Sequence, residues 1–167
     1  MWYAKLKTDI LAARDDRQEA LEQALAREQE ATLFLSLAIP GGNKRPPGAQ
    51  RLFGWARQSL LAAYPELREL LVGGDALGPY AILVGPVDPY RLKRGCVELE
   101  GSFPASRLLD ADVFNVRGES VDREFLQLGQ RRCLICDAPA KECIRLGRHP
   151  HVELVKKTDE LLRHFSN

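Results

Sequence analysis

The chain has 167 residues, a formal net charge of +1 and 45% hydrophobic residues, enough to build a buried core. Near-neutrality excludes a molecule drawn to nucleic acid by its overall charge, and no nucleic-acid partner is expected. No run reaches the ~20 apolar residues of a membrane helix, and the opening Met1-Trp2-Tyr3-Ala4-Lys5 is not a signal peptide. The expected setting is therefore the cytoplasm, without a membrane partner, where cysteines are thiols or metal ligands before they are disulfides.

In chain order, Thr8 or Asp9 caps a short opening turn with Ile10 and Leu11. Asp15 or Asp16 caps the next helix, striped by Ala20, Leu21, Ala24 and Leu25. Residues 31–39, β-branched and aliphatic, predict a buried strand ending at the turn-forming loop 40–48. A helix follows over residues 50–64, with Leu52, Trp55, Ala56 and Leu60 inward, and Pro65 starts a short continuation through residues 66–72. After Gly73-Gly74 the texture turns extended, with strands at residues 80–84, 96–99 and 112–116. Arg117-Gly118-Glu119 turns into residues 120–125. A short helix carries Cys143, and Pro150 opens a final helix striped by Leu154, Val155, Thr158, Leu161, Leu162 and Phe165. The pattern predicts an α+β fold with a mostly antiparallel sheet flanked by helices, as one domain over 1–167. Residues 128–167 form its Cys/His segment and C-terminal helix.

Asp110 and Asp112 are two residues apart among Leu109, Ala111, Val113 and Phe114. In an extended chain both carboxylates project to one side, where they repel unless a cation lies between them. Mg²⁺ suits such a pair, because it takes oxygen ligands and shares carboxylates with substrate phosphates. Arg107 stands near the strand's start, where a guanidinium can clamp phosphate oxygens. The same alternation also describes the solvated face of an edge strand.

Cys133, Cys136, Cys143 and His149 offer three thiolates and an imidazole, a set able to close a tetrahedral structural Zn²⁺ site. They also read as buried cysteines near a helix start, with His149 as its cap. Cys96 stands alone and reads as core packing. Arg131, Arg132, Arg145 and Arg148 surround the cluster, Arg14 and Arg17 lie near the N-terminus, and Lys44-Arg45 sits in the glycine-rich loop. Strand, glycine-rich loop, Lys and helix start make a phosphate cradle without the Walker A spacing.

Several of these pieces together resemble the citrate lyase holo-acyl-carrier-protein synthase family, the apo-citrate lyase phosphoribosyl-dephospho-CoA transferases. The resemblance rests on Val97-Glu98-Leu99-Glu100, on residues 107–113, and on Arg131-Arg132-Cys133-Leu134-Ile135-Cys136 with Cys143, Arg145 and His149. Residues 11–18, the Pro40-Gly41-Gly42-Asn43-Lys44 loop and Lys93 extend it along the chain. It implies a nucleotidyltransferase-like fold and transfer of the prosthetic group from 2'-(5''-triphosphoribosyl)-3'-dephospho-CoA to a serine of the acyl-carrier subunit of citrate lyase, with loss of pyrophosphate. By the same resemblance Arg107 holds phosphate, Asp110 and Asp112 bind Mg²⁺, and Glu98 or Glu100 supplies a third carboxylate or the base. Lys44, Arg14, Arg17, Lys93, Arg131 and Arg132 are candidate substrate contacts. The chain departs from the family's His-Pro-Leu-Gly at Phe103-Pro104-Ala105-Ser106. Two other readings remain: a zinc-stabilised, non-catalytic protein- or RNA-binding module, and the equivalent transferase for malonate decarboxylase.

Overall fold

The computed structural model describes residues 2–165. Its first helix, α1 (Trp2–Leu25), is continuous where the sequence suggested a turn and then a helix. No glycine or proline interrupts residues 2–25, so nothing breaks the backbone ladder. Asp15 and Asp16 are exposed mid-helix residues, not caps, while Ala13 and Ala24 are buried.

The apolar run forms β1 (Ala31–Leu37), and α2 (Ala49–Ala63) follows the loop. At the start of α2, Gly48 has φ +89°, and a β-carbon there would lie 2.6 Å from the Leu162 carbonyl, so only glycine fits. Residues expected to continue α2 instead form β2 (Arg68–Asp75), which turns into β3 (Gly78–Gly85). The Asp75 carboxylate accepts the Leu77 N–H at 2.7 Å, and Gly78 takes φ +101°. This hairpin turn gives the apolar residues of β2 a partner strand, which outweighs local helix propensity.

The expected strand at 96–99 is also overturned, because those residues belong to α3 (Pro89–Glu100). Asp88 caps this helix by accepting the Arg91 N–H at 2.6 Å, and Pro89 occupies its first turn. Leu92, Cys96 and Glu100 fall four apart on its buried face. After a 3-10 turn (Pro104–Leu108), β4 (Leu109–Asn115) begins three residues before the expected start, and β5 is only Ser120–Val121. The chain ends in α4 (Ala140–Leu146) and α5 (His151–Leu162).

The strands form one antiparallel sheet in the order β2-β3-β1-β4-β5. One face carries the main core, where Leu33, Leu35, Ala111 and Val113 meet Leu52, Phe53 and Leu92 and, from α5, Leu161 and Leu162. On the other face α1 covers β1 and β3, with Ala24 against Ile82 and Val84. The α+β class and antiparallel sheet thus agree with expectation. Phe34 pairs with Asp112 and Ser36 with Asp110, so both carboxylates lie on the α1 face. Among the described residues no helix is long and apolar enough to cross a membrane.

Candidate active site and metal centre

Burial along β4 alternates as period two requires: Leu109, Ala111 and Val113 are buried, while Asp110 is half-buried and Asp112 exposed. β5 pairs only with Val113 and Phe114, so the first half of β4 is a free edge. Asn115 donates to Glu119 on the β5 side, and strand alternation turns the Leu109 and Ala111 carbonyls the same way. Two cations close that edge. Lys93 Nζ donates to the Ala111 carbonyl at 2.6 Å, and Arg131 Nη2 donates to those of Arg107 and Leu109 at 2.6 and 2.7 Å. Arg131 Nη1 also stands 3.4 Å from Asp110 Oδ1. Unpaired edge groups are thereby satisfied without another strand.

A cavity of about 600 Å³ opens here, lined by Lys93, Glu100, Asp110, Asp112, Arg123 and Arg131 among others. Asp112 keeps some solvent contact but sits low in this concavity. Burial, then the Asp110 carboxylate, pushes its pKa upward; Glu100 adds to the rise, while Lys93 and Arg131 oppose it. Like-charge crowding of this kind is relieved by a hard cation, so the pair fits Mg²⁺. Glu100 is buried and ion-paired with Arg123, an arginine the sequence did not single out. Glu98 is exposed on α3, away from the cavity lining.

On the α1 side of Asp112 lies a smaller cleft lined by Arg14, Arg17, Gln18, Leu21 and Phe34. Arg14 is exposed and free to take a ligand. Lys44 Nζ donates to the Ile39 carbonyl, and burial together with the Arg14 charge holds its pKa below the usual lysine range. A desolvated lysine beside a second cation is a ready anion site. Arg17 is engaged differently. It binds both Asp75 oxygens at 2.7 and 2.8 Å and the Gly78 carbonyl at 2.8 Å, and its guanidinium lies 4.5 Å from the Tyr80 ring centroid. It pins α1 to the β2–β3 hairpin.

The four Cys/His ligand atoms lie within 4.8 Å of one another. Cys136 Sγ is 3.5 Å from Cys143 Sγ and 3.3 Å from His149 Nε2, spacings close to the edges of a tetrahedral metal site. The local chain builds it. Cys133 N–H donates to Ala138 O and Ala140 N–H to Arg131 O, both at 2.8 Å, folding 131–140 into a tight loop that ends at α4. Gly147, at φ +56°, closes α4 and turns the chain to His149. Burial opposes ionisation of Cys133, but the N–H groups of Cys136 and Ile135 hold its pKa below the usual thiol range. Cys143 is pushed up to about 11 by burial and the adjacent thiols. One ionised thiol thus discourages the next, the conflict a metal cation removes. All four cysteines are free of disulfides, and Cys96 is buried core as expected.

The two centres are joined: Arg107 Nη2 donates to the Cys133 carbonyl, while Arg131 reaches back to β4. The departing Phe103-Pro104-Ala105-Ser106 segment packs inward. Phe103 meets Trp55 edge to face and stacks with Phe165, and Ser106 is fully buried, its hydroxyl 3.0 Å from the Glu100 carbonyl.

A family model described as apo-citrate lyase phosphoribosyl-dephospho-CoA transferase matches residues 6–165. The chain belongs to this family. It is 30% identical over 158 residues to the enzyme of that name from Citrobacter koseri and 31% identical to that from Shigella boydii, covering 92% of this chain and 86% of each relative. It is also 32% identical over 156 residues to Protein CitXG of Haemophilus influenzae, covering 91% of this chain but spanning about a third of that longer protein, 34%. In the phosphoribosyl-dephospho-CoA transferase family, therefore, the chain brings its carboxylate face and its Cys/His centre together through Arg107 and Arg131.

Proposed function

We propose that the chain transfers a phosphoribosyl-dephospho-CoA prosthetic group from its triphosphate donor to a serine of the acyl-carrier subunit of citrate lyase, releasing pyrophosphate, as a cytoplasmic enzyme with a nucleotidyltransferase-like site. The observation that carries the reading is the carboxylate pair on the open face of β4 with Arg14 and Lys44 on one side and Lys93 and Arg131 on the other. Anionic ligands for a hard cation, with the exposed Arg14 beside them and three further positive charges held around them, suit an anionic phosphate chain.

In this reading Asp110 and Asp112 would hold Mg²⁺, which would supply charge neutralisation for the phosphoryl group and the departing pyrophosphate. Arg14 and Lys44 bind the triphosphate. Lys93 and Arg131 fix the strand that carries the carboxylates, and Arg107 fixes the Cys133 loop beside it. Glu100 is better placed than Glu98 to act near the attacking hydroxyl, with Arg123 holding it in position. Arg17 serves the fold, and Arg132 remains available at the rim. Cys133, Cys136, Cys143 and His149 hold a structural Zn²⁺, which clamps the 131–149 segment against β4. Residues 1–167 act as one transferase domain, since α5 shares its core with β1.

The test is mass spectrometry of the apo carrier after incubation with the triphosphoribosyl donor. A mass increase equal to the phosphodiester-linked group, dependent on Mg²⁺ and on Asp110 and Asp112, supports the reading. No modification of the cognate carrier defeats it.

A further inference from the structure

A second cavity, of about 550 Å³, lies beyond Arg131. Its walls include Ile39, Leu108, Leu134, Ala140, Ile144 and Leu154. Arg107, Arg131 and Arg132 are in the same lining, and Cys133, Cys143 and His149 border it from the Cys/His centre. Arg131 also lines the carboxylate cavity, so the two spaces adjoin across one guanidinium. Among the described residues Arg107 donates through Nη2 alone, and Arg132 is 70% exposed at its side chain. Donors on both residues therefore remain for a ligand. Two guanidinium groups with donors to spare, beside the charge of Arg131 and against aliphatic side chains, complement a molecule that joins an anionic group to an uncharged, extended one. Ile144, 80% exposed, marks the open side through which such an arm enters.

Dephospho-CoA has that shape: an adenosine diphosphate joined to a long, uncharged pantetheine arm of methylenes, a gem-dimethyl group and two amides. We propose that this cavity holds the pantetheine arm, with the dephospho-CoA diphosphate at Arg107 and Arg132, beside the charge of Arg131. The assignment rests on the transferase reading and adds to it where the non-reacting part of the donor binds. Its chemical consequence is that affinity from the arm holds the triphosphate over Asp110 and Asp112, so remote contacts assist the reacting centre.

The experiment is calorimetric titration of the full chain with dephospho-CoA and, as the probe lacking the arm, ADP. Burial of the arm makes dephospho-CoA bind roughly tenfold or more tighter than ADP. Ile144→Glu places a carboxylate in the cavity wall at an exposed position that the fold tolerates, and Ala140→Leu narrows the cavity. Each weakens dephospho-CoA by roughly five- to twentyfold while ADP stays within about twofold. Equal affinities for the two probes, unchanged binding in both variants, or no dephospho-CoA binding at millimolar concentration overturns the assignment. So does a rise in KM for the apo carrier with donor KM unchanged, which gives the cavity to the carrier. Arm binding without any transfer defeats the transferase reading alone. Transfer that both variants leave untouched defeats the arm assignment alone.

Discussion

The carboxylate face of β4 and the Cys/His segment are neighbours built on opposite principles. Asp110 and Asp112 gain meaning only from distant residues: Arg14, with Lys44 near it, on one side, Lys93 and Arg131 on the other. The Cys/His centre is local, gathered within seventeen residues by one tight loop and one short helix. A site assembled across the sheet is dispersed in sequence, whereas a site closed by a short loop declares itself by spacing. The two are not independent, because Arg107 and Arg131 exchange backbone contacts between β4 and the Cys133 loop.

That coupling can be broken from the metal side, where the largest effect is expected. If the cluster holds the proposed Zn²⁺, Cys136→Ser or chelation should abolish metal binding and unfold residues 131–149 locally, removing on the order of 10 kcal/mol of metal-linked folding free energy. Hydrogen exchange should show lost protection in that segment and in the β4 edge, with transfer activity lost as well. Full protection of 131–149 in metal-free protein would refute the structural role.

Breaking the carboxylate side should do the reverse. Asp110→Asn with Asp112→Asn should leave the fold intact and reduce transfer roughly 10³-fold, equivalent to about 4 kcal/mol at the transition state. Single-turnover kinetics at saturating donor gives the number.

The arginines of α1 sharpen the distinction between ligand and support. Arg17→Ala should cost about 2 kcal/mol of stability, because it strips Asp75 of a two-point partner, and should leave donor KM unchanged. Arg14→Ala should raise donor KM several-fold with no change in unfolding midpoint. Exchanged outcomes for the two variants would reverse their roles.

The smallest effect concerns pH. Asp112 has a folded pKa raised above its ordinary value of 3.8, so the folded state holds that proton more tightly than the unfolded chain. Its contribution to stability is present below the ordinary value and falls as pH rises through the folded one. Metal-free Asp112→Asn should therefore lose less stability than wild type as pH rises from 4 toward neutrality, measured by urea unfolding. An identical slope would show that Asp112 is not crowded.

Much of the scaffold was legible because long apolar patterns with clear ends leave little choice: β1, β3, α2 and α5 fall near their expected positions. α3 was misread because Val97-Glu98-Leu99-Glu100 alternates with period two, and the deciding cap, Asp88-Pro89, lies eight residues upstream. β2 was misread because its helix-tolerant residues become a strand only when β3 pairs with them. The Cys/His cluster was legible from spacing alone. The Glu100–Arg123 pair was not, since nothing in the sequence links an arginine to a glutamate 23 residues away across the end of α3. Arg17 shows the converse, a residue whose charge suggested a ligand contact but whose Nε and Nη2 are taken by Asp75 and Gly78, with Tyr80 against its guanidinium.

The most direct measurement is the mass of the apo carrier after incubation with donor and Mg²⁺, using wild type beside the Asp110→Asn plus Asp112→Asn variant. The account predicts one added prosthetic group with wild type and unmodified carrier over the same interval with the variant. Equal modification by both proteins would contradict it, because the chemistry would then lie elsewhere than on the open face of β4.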